Sequence, residues 1–137
     1  MDYRRLSVAD AELLRAAAAC FKERDAGLEH ARSWLANDRN LVVVAHEGGT
    51  PIGWVYGYEL PRVDSEMSMM LLYEIDVVES RRRTGIGTEL LRRFRELAAM
   101  PVWLLTNESS AAAMALYQSV GGERPHADDA MFRFKSV

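Results

Sequence analysis

Little in this chain can cross-link it, bind a metal or anchor it. Cys20 is the only cysteine, so no intrachain disulfide can form. No histidine lies near it in sequence, so an acyl-cysteine route has no visible support. The three histidines, His30, His46 and His126, lack the spacing of metal ligands, and no metal is expected. No apolar run approaches the ~20 residues of a membrane span. The N terminus lacks the charged-then-apolar pattern of a signal peptide, so a cytoplasmic protein is expected. Internal repeats, low-complexity tracts and linkers are also missing. A net charge of only −3 gives no global attraction to nucleic acid or to a membrane surface.

The 137 residues suit one domain, residues 1–137, and a single core. Hydrophobic residues make up 49% and charged residues 27%, which argues against disorder. The charge is unevenly placed. Arg81, Arg82 and Arg83 form a basic run, followed by Arg92, Arg93 and Arg95. Acidic residues gather at Asp64 and Glu66, at Glu74 and Asp76, and at Asp128 and Asp129. A basic corner beside separate acidic clusters suits a polyanionic cofactor next to a cationic substrate.

Tyr3–Leu6 reads as a short strand, and Ser7 with Asp10 as a capping box with a shortened acid. Leu13, Leu14, Ala17, Ala18 and Phe21 recur at helical spacing, and a second helix fits Leu28–Ala36. Leu41–Ala45, Ile52–Leu60 and Met69–Val78 read as three strands of an antiparallel meander. Turn chemistry at Glu47–Pro51 and a polar loop at Pro61–Ser68 separate them. Gly85–Ala99 is the clearest amphipathic helix. Val102–Thr106 reads as a strand, Ser110–Val120 as a helix closed by Gly121 and Gly122, and Met131–Lys135 as a final strand. The expected class is mixed α/β, around one central and mostly antiparallel sheet.

The segment Tyr73 to Gly87 carries the chemistry. A strand runs into a basic, glycine-containing loop that opens a helix. The helix start offers unpaired N–H groups and the positive end of the macrodipole. Gly85 and Gly87 place no side chain between that backbone and a phosphate. A P-loop is absent, and Leu90 stands where a dinucleotide fingerprint needs its third glycine. Arg-x-x-Gly-x-Gly at Arg82–Gly87 instead resembles the acetyl-CoA motif of the GNAT superfamily of N-acetyltransferases. Ser110 to Gly122 resembles that superfamily's later helix, with Ala113, Leu116 and Tyr117 in place. Ser110 stands for the usual asparagine, for which Asn107 is a substitute, and Gly122 for a phenylalanine. A narrower resemblance links Leu60-Pro61-Arg62, Tyr73-Glu74 and Asp128 to Phe132 to the short aminoglycoside 3-N-acetyltransferases.

The resemblance implies a GNAT fold whose sheet splits beside the strand before the loop, with pantetheine filling the gap. Ile75, Val77 and Val78 would contact pantetheine through their backbone, Val77 N–H polarising the thioester. Arg82, Arg83, Thr84, Gly85, Ile86, Gly87 and Thr88 would hold the phosphates. Asn107, Ser110, Ala113 and Tyr117 would complete the CoA site, with Tyr117 protonating the departing thiolate. Transfer to an amine also needs a proton acceptor. Glu74 is the first candidate and Asp76 the second, and alternation puts both on one strand face unless a bulge intervenes. Asp64, Glu66, Glu74, Asp128 and Asp129 are candidates for a polyamine site. The implied acceptor is an aminoglycoside, with a peptide, a protein or another small amine as alternatives. A non-catalytic CoA-binding module is the alternative of another class. Exposed edge strands leave monomer and homodimer both open.

Overall fold

The computed structural model describes residues 1–136. The chain divides into two compact units, Met1–Leu105 and Thr106–Val137. The first unit opens with β1, Asp2–Arg5, and a 3₁₀ turn, Val8–Asp10. The Ser7 N–H donates to Asp10 Oδ2 at 2.8 Å while the Asp10 N–H donates to the Ser7 carbonyl, which closes the entry to the first helix. Then come α1, Ala11–Lys22, and α2, Leu28–Ala36. The meander follows as β2, Asn40–Glu47, β3, Thr50–Pro61, and β4, Ser68–Val77. A 3₁₀ turn, Glu79–Arg81, leads to α3, Ile86–Ala98, and to β5, Val102–Trp103.

The strands lie in the order β1-β2-β3-β4-β5, antiparallel except for the parallel β4–β5 pair. Helices cover both faces. On one face, Leu14 and Ala17 of α1 and Ala31 of α2 pack with Val42, Val44 and Trp54. On the other, α3 buries Ile86, Leu90, Leu91, Phe94 and Ala98, the apolar stripe of its sequence. Burying both faces explains why β2 is apolar without alternation from Leu41 to Ala45. Phe94 and Leu90 are fully enclosed, each worth roughly 2–3 kcal/mol relative to exposure.

Two glycines let α3 and β4 close on β3. A Cβ on Gly53 would sit 3.0 Å from Leu90 Cδ1 and 3.3 Å from Ile86 Cγ2. Gly53 is the register partner of Val77, so the start of α3 lies against the sheet where β4 ends. Gly57 is tighter still, and the β3–β4 register shifts beside it, between Tyr56 and Gly57. Tyr56 pairs with Glu74 and Gly57 with Leu72, which leaves Tyr73 as the extra residue of a bulge in β4.

The second unit contains α4, Ala111–Ser119, within the helix expected from sequence. Gly121 at φ 88° ends it, and the Gly122 N–H returns to the Tyr117 carbonyl at 2.8 Å. A Cβ at Gly122 would come within 2.7 Å of that carbonyl, so the phenylalanine usual in the resemblance does not suit this turn. Met131–Lys135 is not a strand, contrary to its alternation. Phe132 and Phe134 are both exposed, so the alternation has no face to bury. The strand expected over Val102–Thr106 is only two residues long.

Candidate functional site

The sheet opens beside β4. Strand β5 pairs with it only at Met70↔Val102 and Leu71↔Trp103. Beyond Leu72, among the described residues, no strand pairs with that edge of β4. The Val78 N–H donates to Ile52 O at 2.9 Å. Alternation of the ladder therefore turns the backbone groups of Val77 and Ile75 away from β3, toward the open edge. Val78, expected beside them, uses its N–H on β3 instead. The two groups of Val77 are already engaged by side chains. Its N–H donates to Asp76 Oδ1 at 2.8 Å, and its carbonyl accepts from Arg82 Nε at 2.9 Å. Arg82 Nη2 also reaches Asp76 Oδ1 at 3.3 Å. Asp76, the second candidate base, is thus a clamp on Val77 and Arg82.

The loop after β4 sorts the arginines. Arg81 is tied to Glu47 by a 2.8 Å ion pair, and Thr84 Oγ1 donates to the Arg81 carbonyl at 2.6 Å. Arg83 sits at φ 63°, exposed, with no charged partner among the described residues. Gly85 follows at φ 88°, a conformation that glycine adopts without strain. The first helical bond of α3 runs from Glu89 N–H to Gly85 O at 3.1 Å. The N–H groups of Ile86, Gly87 and Thr88 precede it and form the donor end of the helix. Arg92 and Arg93 do not extend this basic corner. Both bond Glu89, which their guanidinium groups hold down at a pKa of about 2, and Arg93 lies 4.7 Å over the Tyr3 ring.

Glu74 faces α1. The bulge at Tyr73 resets the alternation, so Tyr73 and Glu74 both meet the face that carries Trp54, Tyr56 and Tyr58. Glu74 Oε1 accepts from Lys22 Nζ at 2.8 Å, and that bond holds the Lys22 ammonium above the ordinary lysine range. Glu74 Oε2 is buried without a hydrogen-bond partner. Burial first, and the Glu74 charge second, push the Tyr56 hydroxyl well above the ordinary tyrosine range. Glu74 and Asp76 are two apart with no bulge between them, so they share a face as expected.

The rings around Glu74 form a continuous set that the residue-by-residue reading missed. Trp54 stacks on Phe21 at 5.4 Å and meets Tyr56 edge-on at 4.7 Å. Trp34 meets Tyr56 and Tyr58 edge-on, each at 6.0 Å, and Tyr73 stacks on Tyr56 at 5.7 Å. The signal was present as Trp54, Tyr56 and Tyr58 at period two.

Two of the remaining acidic candidates, in the same unit, stand apart from Glu74. Asp64 and Glu66 lie in the β3–β4 hairpin tip, beyond the Pro61↔Ser68 pair. The six residue steps from Ser68 to Glu74 separate them from Glu74 by about 20 Å of strand. Asp64 is also chelated by Arg62, at 3.0 Å to each oxygen. In the second unit, Ser110 stands at the N-cap of α4 without a side-chain capping bond, and its N–H donates to the Asn107 carbonyl at 2.9 Å. Ala113 and Tyr117 lie on the half-buried face of α4, and burial pushes the Tyr117 hydroxyl above the ordinary tyrosine range. Asp128 and Asp129 are exposed.

This geometry coincides with a known pattern. The sequence profile of the acetyltransferase (GNAT) family matches residues 6–121, most of the chain. The chain belongs to the GNAT family. Its activity is therefore acetyl-CoA-dependent N-acetyl transfer to an amine. No curated protein matches the sequence. Among solved structures, an aminoglycoside acetyltransferase from an uncultured soil metagenomic sample superposes with a TM-score of 0.87 at 24% identity, covering 99% of this chain and 98% of that one. A second such enzyme from a soil metagenome, in complex with sisomicin, gives 0.75 at 22% identity, covering 99% and 95%. A ribosomal-protein-alanine N-acetyltransferase from Brucella melitensis gives 0.71 at 20% identity, covering 98% and 100%. The GNAT fold thus accommodates different acceptors, and the fold alone does not choose between them.

The donor set fits the cofactor of a GNAT enzyme. Arg83 and the free N–H groups of Ile86, Gly87 and Thr88 suit a pyrophosphate. The open edge at Ile75 suits an amide-containing chain added like a strand, and Val77 would join it once Asp76 and Arg82 release its N–H and carbonyl. Among the described residues no cluster of His, Cys, Asp and Glu is arranged to hold a metal ion. No helix among them is long and apolar enough to cross a membrane.

Proposed function

We propose that this GNAT enzyme acetylates an amine of an aminoglycoside, with Glu74 as general base and Tyr117 as general acid, and that residues 1–137 act as one catalytic domain. The observation that carries the reading is Glu74, which has one oxygen on a lysine ammonium and the other buried without a partner. That carboxylate is built to meet a second cation. Acetyl-CoA, when bound, supplies the acetyl group as a thioester. Glu74 takes a proton from the acceptor ammonium, exposing the lone pair that forms the new N–C bond. The Val77 N–H, released from Asp76, stabilises the charge on the carbonyl oxygen. On cleavage of the thioester the Tyr117 hydroxyl, kept protonated at neutral pH by its raised pKa, would give its proton to sulfur, and the second proton that the acylated nitrogen must lose would restore the tyrosine. The products are an N-acetyl amine and free CoA.

The structural likeness to aminoglycoside acetyltransferases and the Leu60-Pro61-Arg62 and Tyr73-Glu74 segments support the acceptor class. Those segments favour an amine of the central ring, the 3-N position. The loop carboxylates Asp64 and Glu66 contribute to this reading only as a diffuse field.

Cofactor binding is tested first by thermal unfolding. Acetyl-CoA should raise Tm in a dose-dependent way, because it binds only the native state. Gly87→Glu, which puts a carboxylate at the donor end of α3, should abolish the shift without lowering the starting Tm. No shift at millimolar acetyl-CoA would remove the basis for the assigned site. Tyr117→Phe should lower kcat by roughly 10²-fold, the lower range for loss of a general acid. Its acetyl-CoA-induced Tm shift should persist.

A further inference from the structure

Of the 17 lysines and arginines in the chain, only Lys22 and Lys135 are lysines. One of those two stands on the carboxylate read above as the general base. Lys22 Nζ donates to Glu74 Oε1 at 2.8 Å, and the two side chains keep 43% and 27% of their exposure. We propose that Lys22 is itself an acceptor, so that the protein acetylates its own Lys22 side chain when acetyl-CoA is bound and no external amine is present. The inference rests on the reading of Glu74 as the base and adds a modification site to it.

The choice of cation is the first support. The ion pairs at Glu47, Asp64, Asp76 and Glu89 all use arginine. An arginine at position 22 could meet Glu74 with two parallel N–H donors, the stronger kind of pair. A guanidinium does not give up its proton in a protein, however, whereas an ammonium does, and only the free amine is a nucleophile. Glu74 is therefore paired with a cation that can react.

Placement is the second. Lys22 ends α1, and Glu23 beyond it turns the chain at φ 55°. Burial first, and the Asp76 charge second, raise the thiol of Cys20 on the same helical turn. The end of α1 thus lies over β4 from Glu74 to Asp76, and Val77, assigned to the thioester oxygen, comes next in the strand. The reading of Glu74 as base already requires an amine held there to reach that carbonyl. The flexible four-carbon stem of Lys22 gives its nitrogen freedom to make the same approach.

The step balances. Glu74 takes one proton from the Lys22 ammonium and later returns it to water. The free amine attacks the thioester carbonyl, the N–C bond forms and the C–S bond breaks. The departing sulfur takes up a proton and the acylated nitrogen gives up its second one, leaving N-acetyl-lysine and free CoA. The bond to Glu74 holds the Lys22 ammonium above the ordinary lysine range, so Lys22 is a poor nucleophile without the base.

The test maps acetylation by peptide mass after incubation with acetyl-CoA and no added amine. Lys22 should be acetylated at least roughly tenfold faster than Lys135, an exposed lysine that serves as internal control. Its rate constant should not depend on protein concentration, as for a reaction within one molecule. With N-hydroxysuccinimidyl acetate in place of acetyl-CoA the order should reverse, because that reagent needs an amine already free of its proton. Glu74→Gln should slow acetylation of Lys22 by acetyl-CoA roughly 100-fold and leave Lys135 unchanged. The acetyl-CoA-induced Tm shift confirms that the variant is folded and binds acetyl-CoA. Equal acetylation of both lysines by acetyl-CoA, Lys22 leading with both donors, a rate that rises with protein concentration, or a Lys22 rate untouched by Glu74→Gln each overturns the proposal. If an added amine is acetylated while Lys22 stays unmodified without it, the proposal falls and Glu74 keeps its role. If neither is acetylated, both readings fall together.

Discussion

Glu74→Gln is expected to lower kcat by roughly 10²–10⁴-fold at neutral pH, the usual consequence of losing a general base. The acetyl-CoA-induced Tm shift should stay the same, because Glu74 lies on the α1 face of β4 and the donor groups lie at the open edge and at the start of α3. The direction with pH follows from the acceptor. An alkylammonium is almost fully protonated at pH 7, and its free-amine fraction grows tenfold per unit until its own pKa is reached. A variant without the base relies on that fraction, so its deficit should shrink as pH rises. Lys22→Met provides the control. It removes the 2.8 Å ion pair while keeping the carboxylate, and the pair is too exposed for its loss to matter much to stability. If Lys22→Met reproduced the whole loss of Glu74→Gln, the role of Glu74 would be to hold α1 rather than to accept a proton.

Gly57→Ala is expected to have the largest effect on stability. Its Cβ would lie 2.2 Å from the Leu71 carbonyl oxygen and 2.9 Å from Phe94 Cζ. Neither neighbour can yield cheaply, since one is β4 backbone and the other a fully buried ring. Overpacking of this kind costs about 3 kcal/mol. In a domain of this size that lowers Tm by about 10 °C. The strand that must move also carries the Tyr73 bulge, so the position of Glu74 would suffer as well. Thermal unfolding checks it, and an unchanged Tm would mean that β3 and β4 do not approach as closely as described.

Most of the fold was legible because its signals were local. Helix α2 spans the residues its periodicity predicts, and α3 begins after Gly85 and ends before Ala99, which act as its caps. The meander strands differ from expectation by one or two residues at their ends. The signals that failed depend on partners. Met131–Lys135 alternates like a strand, but alternation orders a segment only where a face can be buried. The bulge at Tyr73 arises from the close approach at Gly57, between residues far apart in sequence.

The candidate site was legible only where its signal was local. Glycines and arginines before an amphipathic helix declared the donor end of α3. Which arginines were free did not show, since Arg81, Arg92 and Arg93 are tied by Glu47 and Glu89. The clamp of Asp76 on Val77 and Arg82 was equally hidden. It sets a carboxylate read as a possible base to a different task in this conformation. The ring set around Glu74 needed the sheet register to bring Tyr73 beside Tyr56 and the α2 packing to bring Trp34.

The most direct measurement is a mass analysis of sisomicin incubated with the purified protein and acetyl-CoA, run beside a thiol-release assay. The account predicts CoA release that depends on sisomicin and a product carrying one added acetyl group, with both lost in Glu74→Gln at neutral pH. Release of CoA with a peptide amine but not with sisomicin would contradict the acceptor class. Absence of transfer to every amine tried, by a protein whose Tm does rise with acetyl-CoA, would contradict catalysis itself and leave a CoA-binding module.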